Sequence, residues 1–444
     1  MKKQSVKKYT ALACAALCIV PMAAAFCGCS PREEVLKIYN WGDYIEEELL
    51  DVFEDWYMRE TGKKIRVRYD TFDTNEDMIM RIEVIKADYD LVCPSDYMAE
   101  RMIKDGLAQK LDKSIFDNMS RDDLYDGLAE KVDFDSDFEY FAPYCWGTFG
   151  IMYDVGTDEY STIFEPDDAR MKSWEALWTD FTTGGKKRTL MKDSVRDAYS
   201  AARIYANRDK LKELSNGFTD YNDAYKTELK SYFSSVSDED IEQAKQTLIA
   251  QKKVLHKYEV DDGKNDMLAH TTPAWLGFFW SCDTGLIMQE EGGGHFYYEV
   301  PKEGSNIWLD GWIIPKYAKN TEAANYFLKF INMYDPDDEN SQFAMTNFDY
   351  MGTSMAGKAV MEDAKADLLD MMYNELTAED RAEMDQEDID YADMMYNREE
   401  WFKLMYIDMM FPPDDVLARC EVMRDFGKQR GTDLDSMWID VKTS

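Results

Sequence analysis

Residues 36–56, LKIYNWGDYIEEELLDVFEDW, decide how the chain is read. Leu36, Ile38 and Tyr39 open an unbroken apolar run, which predicts a strand. Ile45, Leu49, Phe53 and Trp56 follow at helical spacing, which predicts an amphipathic helix. Between them lies Asn40-Trp41-Gly42-Asp43-Tyr44. Turns are normally small and polar, so a Trp and a Tyr at this one need a purpose.

The pattern continues outward. Thr61-Gly62 stops the helix. KKIRVRYD (63–70) alternates, with Ile65, Val67 and Tyr69 on one face, and reads as a second strand. TNEDMIMRIEVIKAD (74–88) reads as a helix with Thr74 as N-cap and Asp77 three residues on. YDLVCPSDY (89–97) is a third, buried strand ending at Pro94. The order β-α-β-α-β predicts a parallel sheet with right-handed crossovers. In such sheets ligands bind beyond the carboxyl ends of the strands. The turn at 40–44 and Ser95-Asp96-Tyr97 are therefore expected to face one crevice.

A chain of 444 residues predicts two or three domains. Its net charge of −37 argues against nucleic acid, whose phosphates need Lys and Arg, and suits a cationic ligand. Residues 1–28 read as an export signal, with basic MKKQSVKK followed by an apolar stretch. The FCGCS that follows resembles a bacterial lipoprotein cleavage site, with lipid on Cys29 and residues 29–35 as a tether. No later segment is apolar enough to span a bilayer. The expectation is an exported protein on the outer face of the cell membrane or in the periplasm, held by lipid. The cysteines lack metal-binding spacing and read as buried free thiols. His256, His270 and His295 are scattered, so no metal site is expected, and no cofactor.

Further along, APYCWGTFGIMYD (142–154) reads as an aromatic strand pair, and SWEALW (173–178) as a helix start with Ser173 as N-cap. Residues 208–255 are charged and helical. The acidic, Met-rich tail at about 355–415 carries DMMYN at 370–374 and 393–397; it reads as helices with Met-rich apolar faces. Trp41, Tyr44, Tyr97, Trp280, Trp308 and Tyr350 all fall at strand ends or turns beside polar groups. Asp310 lies two residues after Trp308, which in a strand puts both on one face. An aromatic ring and a carboxylate facing the same space make a minimal site for an organic ammonium.

YNWGDYI, YDLVCPSDYMAERM, SWEALW, KDSVRDAY, FFWSCD and VPKEGSNIWLDGWIIPKYAKN, in order over about residues 35–355, resemble the spermidine/putrescine-binding periplasmic proteins of polyamine ABC importers. The resemblance implies a two-lobed α/β fold of the type II periplasmic-binding-protein kind, with the ligand in the cleft between lobes. It also implies closure on a polyamine and delivery to a membrane permease. We divide the chain into lobe 1 (36–141 and 309–355) and lobe 2 (142–308 and 356–444). Carried over, Trp41 and Tyr44 match the aromatic turn lining the polyamine site. Ser95 and Tyr97 match the pair after the third strand, and Trp280 a ring stacked on the alkyl chain. Trp308 and Asp310 match the ring and acid that grip an amine, Asp197 matches an acidic residue, and Tyr350 a tyrosine usually followed by Pro. Ser194 stands where spermidine binders tend to have a second acid, which favours a diamine such as putrescine. A monomer is expected. No GxSxG, HExxH or phosphate-loop motif points to an enzyme. The rival reading is a binding protein of the same fold for another organic cation or a metal.

Overall fold

The computed structural model describes residues 34–444 apart from 158, 159 and 261. Cys29, the export signal and most of the tether lie outside the described residues. The first strand opens at Glu34, so the last two residues assigned to the tether belong to the sheet.

The opening stretch folds as its pattern predicts, except that Ile45 stays in the turn before the helix. Strand β1 (Glu34–Trp41) leads into helix α1 (Glu48–Thr61), which buries Leu49, Phe53, Trp56 and Tyr57 and ends on Gly62 in the left-handed conformation. β2 (Ile65–Phe72) pairs parallel to β1, Trp41 opposite Phe72. Thr74 caps helix α2 (Asn75–Met80) by accepting the Asp77 N–H at 3.1 Å. β3 (Leu91–Val92) pairs parallel to β1 on its other side, and helix α3 (Asp96–Lys104) follows. The short β4 (Ala108–Gln109) completes this half.

A larger sheet forms the other half. β5 (Ala142–Asp154) is one strand of 13 buried residues, not the pair expected from its sequence. Gly147 interrupts no strand. It is small because the Trp308 ring packs onto it, where an added Cβ would sit 2.5 Å from that ring. β6 (Thr189–Lys192) leads into α4 (Val195–Ala206). Two further helices, Arg208–Leu214 and Asp223–Ser234, precede α5 (Asp238–Gln251) and β7 (Leu255–Glu259). β8 (Leu276–Trp280) runs directly into α6 (Ser281–Gln289), and β9 (Phe296–Glu299) returns along β5. SWEALW forms a 3-10 turn rather than an α-helix, with Ser173 capping it as expected.

β10 (Ser305–Trp312) crosses back antiparallel to β5, Trp308 opposite Gly147 and Asp310 opposite Cys145. Past a bulge at Asp310/Gly311 it reaches the first half, where Ile313 bridges Val92 and β11 (Ile314–Pro315) pairs with β4. β5 and β10 thus run between the two sheets. Helix α7 (Thr321–Ile331) packs on α1 through Phe327 and Phe330 against Phe53. α8 (Phe343–Met351) and β12 (Ser354–Met355) follow, β12 pairing with β5. The Met-rich tail is helical, over Lys358–Tyr373, Ala378–Glu383, Gln386–Tyr396 and Glu400–Met410. Met361, Met371, Met372, Met395, Met405, Met409 and Met410 are buried, so these methionines are core, while Met384 and Met394 are half-buried against it. β13 (Cys420–Glu421) pairs parallel to β10, and α9 (Lys428–Thr443) ends the chain on α5. Among the described residues no helix is long and apolar enough to cross a membrane. Cys93, Cys145, Cys282 and Cys420 are free thiols, Cys282 being the one less than fully buried.

Candidate functional site

The aromatic turn after β1 is pinned in place. The Trp41 indole donates to the Cys93 carbonyl at 2.9 Å, tying the end of β1 to the end of β3. Asp43 takes a positive φ of 53°, which swings the chain back, and the Tyr144 hydroxyl donates to the Tyr44 carbonyl at 3.0 Å. Tyr44 is thereby aimed across the sheet junction, and its hydroxyl donates to Asp310 Oδ2 at 2.9 Å. The Trp41 and Tyr44 rings stand 6.3 Å apart. The opening pentapeptide is thus half of a wall facing the crossing strand.

Ser95 comes from the other strand end. It opens α3 but its side chain makes no capping bond. Instead the Asn75 amide donates to both the Ser95 hydroxyl (3.0 Å) and the Tyr97 hydroxyl (3.1 Å), while Asn75 Oδ1 accepts the Ser95 N–H. Ser95 bridges Asp310 across the strands. Asn75, at the carboxyl end of β2, was missed in the sequence, where it reads as the first residue of a capped helix.

Asp310 is 5% exposed. Burial raises its carboxyl to about 6, and the Ser95 and Tyr44 hydroxyls work against that rise. Oδ1 of Asp310 and the indole N–H of Trp308 are buried without a hydrogen-bond partner among the described residues. Burial also raises neighbouring Asp96. A buried anion with one open oxygen, beside an indole with an open N–H, is incomplete without a polar partner.

The second wall comes from α4 and β8. The Trp280 indole donates to Asp197 Oδ2 at 3.2 Å. Burial raises Asp197 to about 7, opposed by Ser194, Lys192, Trp280 and Arg196. Lys192 Nζ lies 4.2 Å from the Trp280 ring centroid and is itself bound by Asp283 at 2.8 Å and Glu259 at 3.4 Å. The Arg196 guanidinium stacks on Tyr97 at 3.8 Å. Neither cation stands out in the sequence.

The two walls meet. Tyr97 and Asp197 lie within electrostatic reach, as do Tyr44 and Cys282 at the start of α6. The Trp308 ring and Ser281 both close on Gly147. Contacts thus link Trp41, Tyr44, Ser95 and Asp310 on one side, and Tyr97 through Arg196 to the start of α4, where Asp197 meets Trp280, on the other, with Trp308 two residues from Asp310 on β10. Tyr350 is 39% exposed on α8, within electrostatic reach of Asp43, Glu46 and Glu47. A separate cavity of about 210 Å³ lies beside the junction, lined by Glu76, Arg101, Arg196, Asp425 and Lys428.

A family model for bacterial extracellular solute-binding proteins matches residues 53–366. The spermidine/putrescine-binding periplasmic protein of Escherichia coli is 30% identical over 313 residues, 70% of this chain and 75% of its own length. A putrescine-binding periplasmic protein of Pseudomonas aeruginosa is 28% identical over 305 residues, covering 67% and 73%. The fold resembles a spermidine/putrescine ABC transporter structure from Listeria monocytogenes (TM-score 0.61, 24% identity, 92% of this chain and 99% of that one). It also resembles the substrate-binding protein PotD of Streptococcus pneumoniae (TM-score 0.59, 22% identity, 93% and 99%). These neighbours share the two-lobed type II periplasmic-binding-protein fold expected from the sequence. With more than half of its length matched and two crossing strands joining its α/β halves, the chain belongs to the spermidine/putrescine-binding family of bacterial extracellular solute-binding proteins and is not an enzyme.

Proposed function

We propose that this protein is the exported, lipid-anchored binding component of a polyamine ABC importer, capturing putrescine or spermidine and handing it to a membrane permease. The reading rests on one observation: the buried carboxylate of Asp310, approached by the Tyr44 and Ser95 hydroxyls and with Oδ1 left without a hydrogen-bond partner among the described residues. An ammonium would complete it. A desolvated cation on an indole face contributes about 2 kcal/mol, and a charge-assisted hydrogen bond about 1.5–3 kcal/mol. We assign ligand contact to Trp41, Tyr44, Ser95, Tyr97, Asp197, Trp280, Trp308 and Asp310, with Tyr350 at the rim. We divide the lobes where β5 and β10 pass between the sheets. Lipid attachment at Cys29 and a monomeric state belong to the same proposal. The names of the relatives support the solute class and export.

Ser194, where spermidine binders tend to have an acid, is engaged with Asp197, which favours the shorter diamine. One observation favours a second reading. Lys192, paired with Asp283 and Glu259, already occupies a cation–π contact with Trp280, which leaves that ring less suited to a second ammonium and suits an amine with a neutral or anionic tail. Calorimetric titration with putrescine, spermidine and the zwitterion 4-aminobutyrate separates the two. One-to-one binding of a polyamine is the expected result. Binding of the zwitterion alone would transfer the assignment to the second reading, and no heat with any of the three would end both.

A further inference from the structure

Three residues far apart in sequence converge at the end of β5 distant from the ligand junction. Asp154 closes β5, His295 lies just before β9, and His270 sits in the connection before β8. The histidines are scattered along the sequence, and the fold brings two of the three together. The Asp154 N–H donates to the Trp275 carbonyl at 2.8 Å and the Val155 N–H to the His295 carbonyl at 2.9 Å, so the backbone holds the segments in register. Asp154 is nine residues along β5 from Cys145, the partner of Asp310, which is about 30 Å of extended strand.

The side chains point at one another without bonding. His270 Nε2 is 3.7 Å from Asp154 Oδ2, and His295 Nε2 is 3.8 Å from Asp154 Oδ1. One ligand atom from each residue lies within 4.8 Å of both others. These separations are too long for hydrogen bonds. They suit atoms that share an ion, since donors about 2.0–2.1 Å from a tetrahedral zinc stand roughly 3.4 Å apart. His295 is 9% exposed and its Nε2 has no partner among the described residues. Its other ring nitrogen is engaged by the Gly292 backbone, the outer contact that turns a ligating imidazole toward its metal. His270 takes a positive φ of 51° and stacks on Tyr160 at 3.8 Å. That conformation is costly for a non-glycine residue and marks a constrained position.

We propose that Asp154, His270 and His295 bind one divalent transition-metal ion of the zinc class, pinning the end of β5 to the segments that precede β8 and β9. Two imidazoles and a carboxylate suit zinc, cobalt or nickel better than magnesium or calcium, which prefer all-oxygen shells. The His270 side chain is 30% exposed, which gives the ion a way in. The fourth position falls to solvent.

The test strips the protein with a chelator and titrates zinc alone in physiological salt with excess magnesium, which saturates unspecific surface carboxylates. The expected result is one zinc per chain, a melting temperature raised by zinc, and, with cobalt substituted, the strong visible absorption of a tetrahedral centre. His270→Gln and His295→Gln should each weaken binding by about a hundredfold or more, since even an outer contact is worth 10–100-fold. His256→Gln, on an exposed position of β7, should leave binding unchanged. His270→Gln alters a partly exposed side chain, and circular dichroism of that variant separates lost ligation from lost folding. Zinc that binds no better than magnesium overturns the proposal. So does stoichiometric zinc that survives both substitutions, which would place the ion on thiols such as Cys282. Neither outcome touches the polyamine reading, whose site lies elsewhere.

Discussion

Asp310 carries conflicting demands at the residue scale. Its carboxyl is raised to about 6 by burial, against about 3.9 in an unfolded chain. Between those two values the folded protein keeps a proton that the unfolded chain gives up. Stability of the unliganded protein therefore falls as pH rises from about 4 to 6 and stays lower above that. The difference amounts to about 3 kcal/mol at most. Asp310→Asn removes this cost, because a neutral amide has no charge to desolvate. We expect the variant's unliganded melting temperature at pH 7.5 to equal or exceed that of the parent. We also expect it to bind polyamine about 10- to 100-fold more weakly, the loss of one charge-assisted hydrogen bond. In the parent, affinity should fall as pH drops below about 6, because a protonated Asp310 no longer attracts an ammonium. Thermal melts with and without putrescine across pH 5–8 measure all of this. A variant that melts far lower yet still binds would make Asp310 a structural residue.

Elements place these residues, and one contact between elements sets the spacing of the junction. Gly147 on β5 faces both the Trp308 ring on β10 and Ser281 at the start of α6. Ser281 also accepts the Thr148 N–H at 3.1 Å. In Gly147→Ala the new methyl would overlap the indole ring, and rigid strands on both sides leave it nowhere to go. Overpacking of this kind costs about 1–3 kcal/mol. We expect the variant to melt lower, to bind ligand more weakly and to show altered tryptophan fluorescence. An unchanged fluorescence spectrum with full affinity would show that Trp308 does not need this seat. The same strand shows where sequence reading succeeds and fails. β1, α1, the Thr74 cap and the facing strand ends were legible because their causes are local: periodicity, a capping hydroxyl, a glycine stop. Trp41, Tyr44 and Asp310 were legible because aromatics and an acid at strand ends break the usual polarity of turns. β5 was misread because Gly147 and Gly150 look like turn residues when the rings that pack on them come from far along the chain. Asn75, Lys192 and Arg196 were hidden because each acts through a partner on another element. The meeting of His270 and His295 with Asp154 likewise depends on how β8 and β9 lie against β5.

At the scale of the whole molecule the question is what holds the halves together across the crevice. Glu100, on α3 of the first half, is buried and receives a fork from Arg424, at 2.9 Å from Nη2 and 3.2 Å from Nε. The Asp425 N–H adds a bond at 2.8 Å and Lys104 an ion pair at 2.9 Å. Arg424 also pairs with Asp133, its own N–H donates to the Phe233 carbonyl at 2.9 Å, and its carbonyl accepts from Arg196 at 3.1 Å. Lys428 reaches Glu83 and, at 3.3 Å, Asp105. The segment after β13 is therefore a charged strap from the second half to α3. Burial raises Glu100, but the bonds from Arg424, Asp425 and Lys104 outweigh it and leave the carboxyl below its usual value. Its contribution to stability is thus present above about pH 4.3, the unfolded value, and is lost as pH falls through the lower folded one. Removing one partner of a buried ion pair costs about 3–5 kcal/mol. Here Lys104 and the Asp425 N–H remain, which reduces the loss to about 1–3 kcal/mol, the cost of an unmet charged acceptor. Arg424→Ala should lower the melting temperature and enlarge the unliganded radius of gyration, because the strap no longer opposes opening of the lobes. High salt should move the parent toward the variant in both measurements, since partly exposed ion pairs are screened. Saturating ligand should bring the two radii together by closing the crevice from within. If X-ray scattering finds equal radii without ligand, closure is held by the aromatic walls and the crossing strands, and the strap is only a local tether for the C-terminal helix.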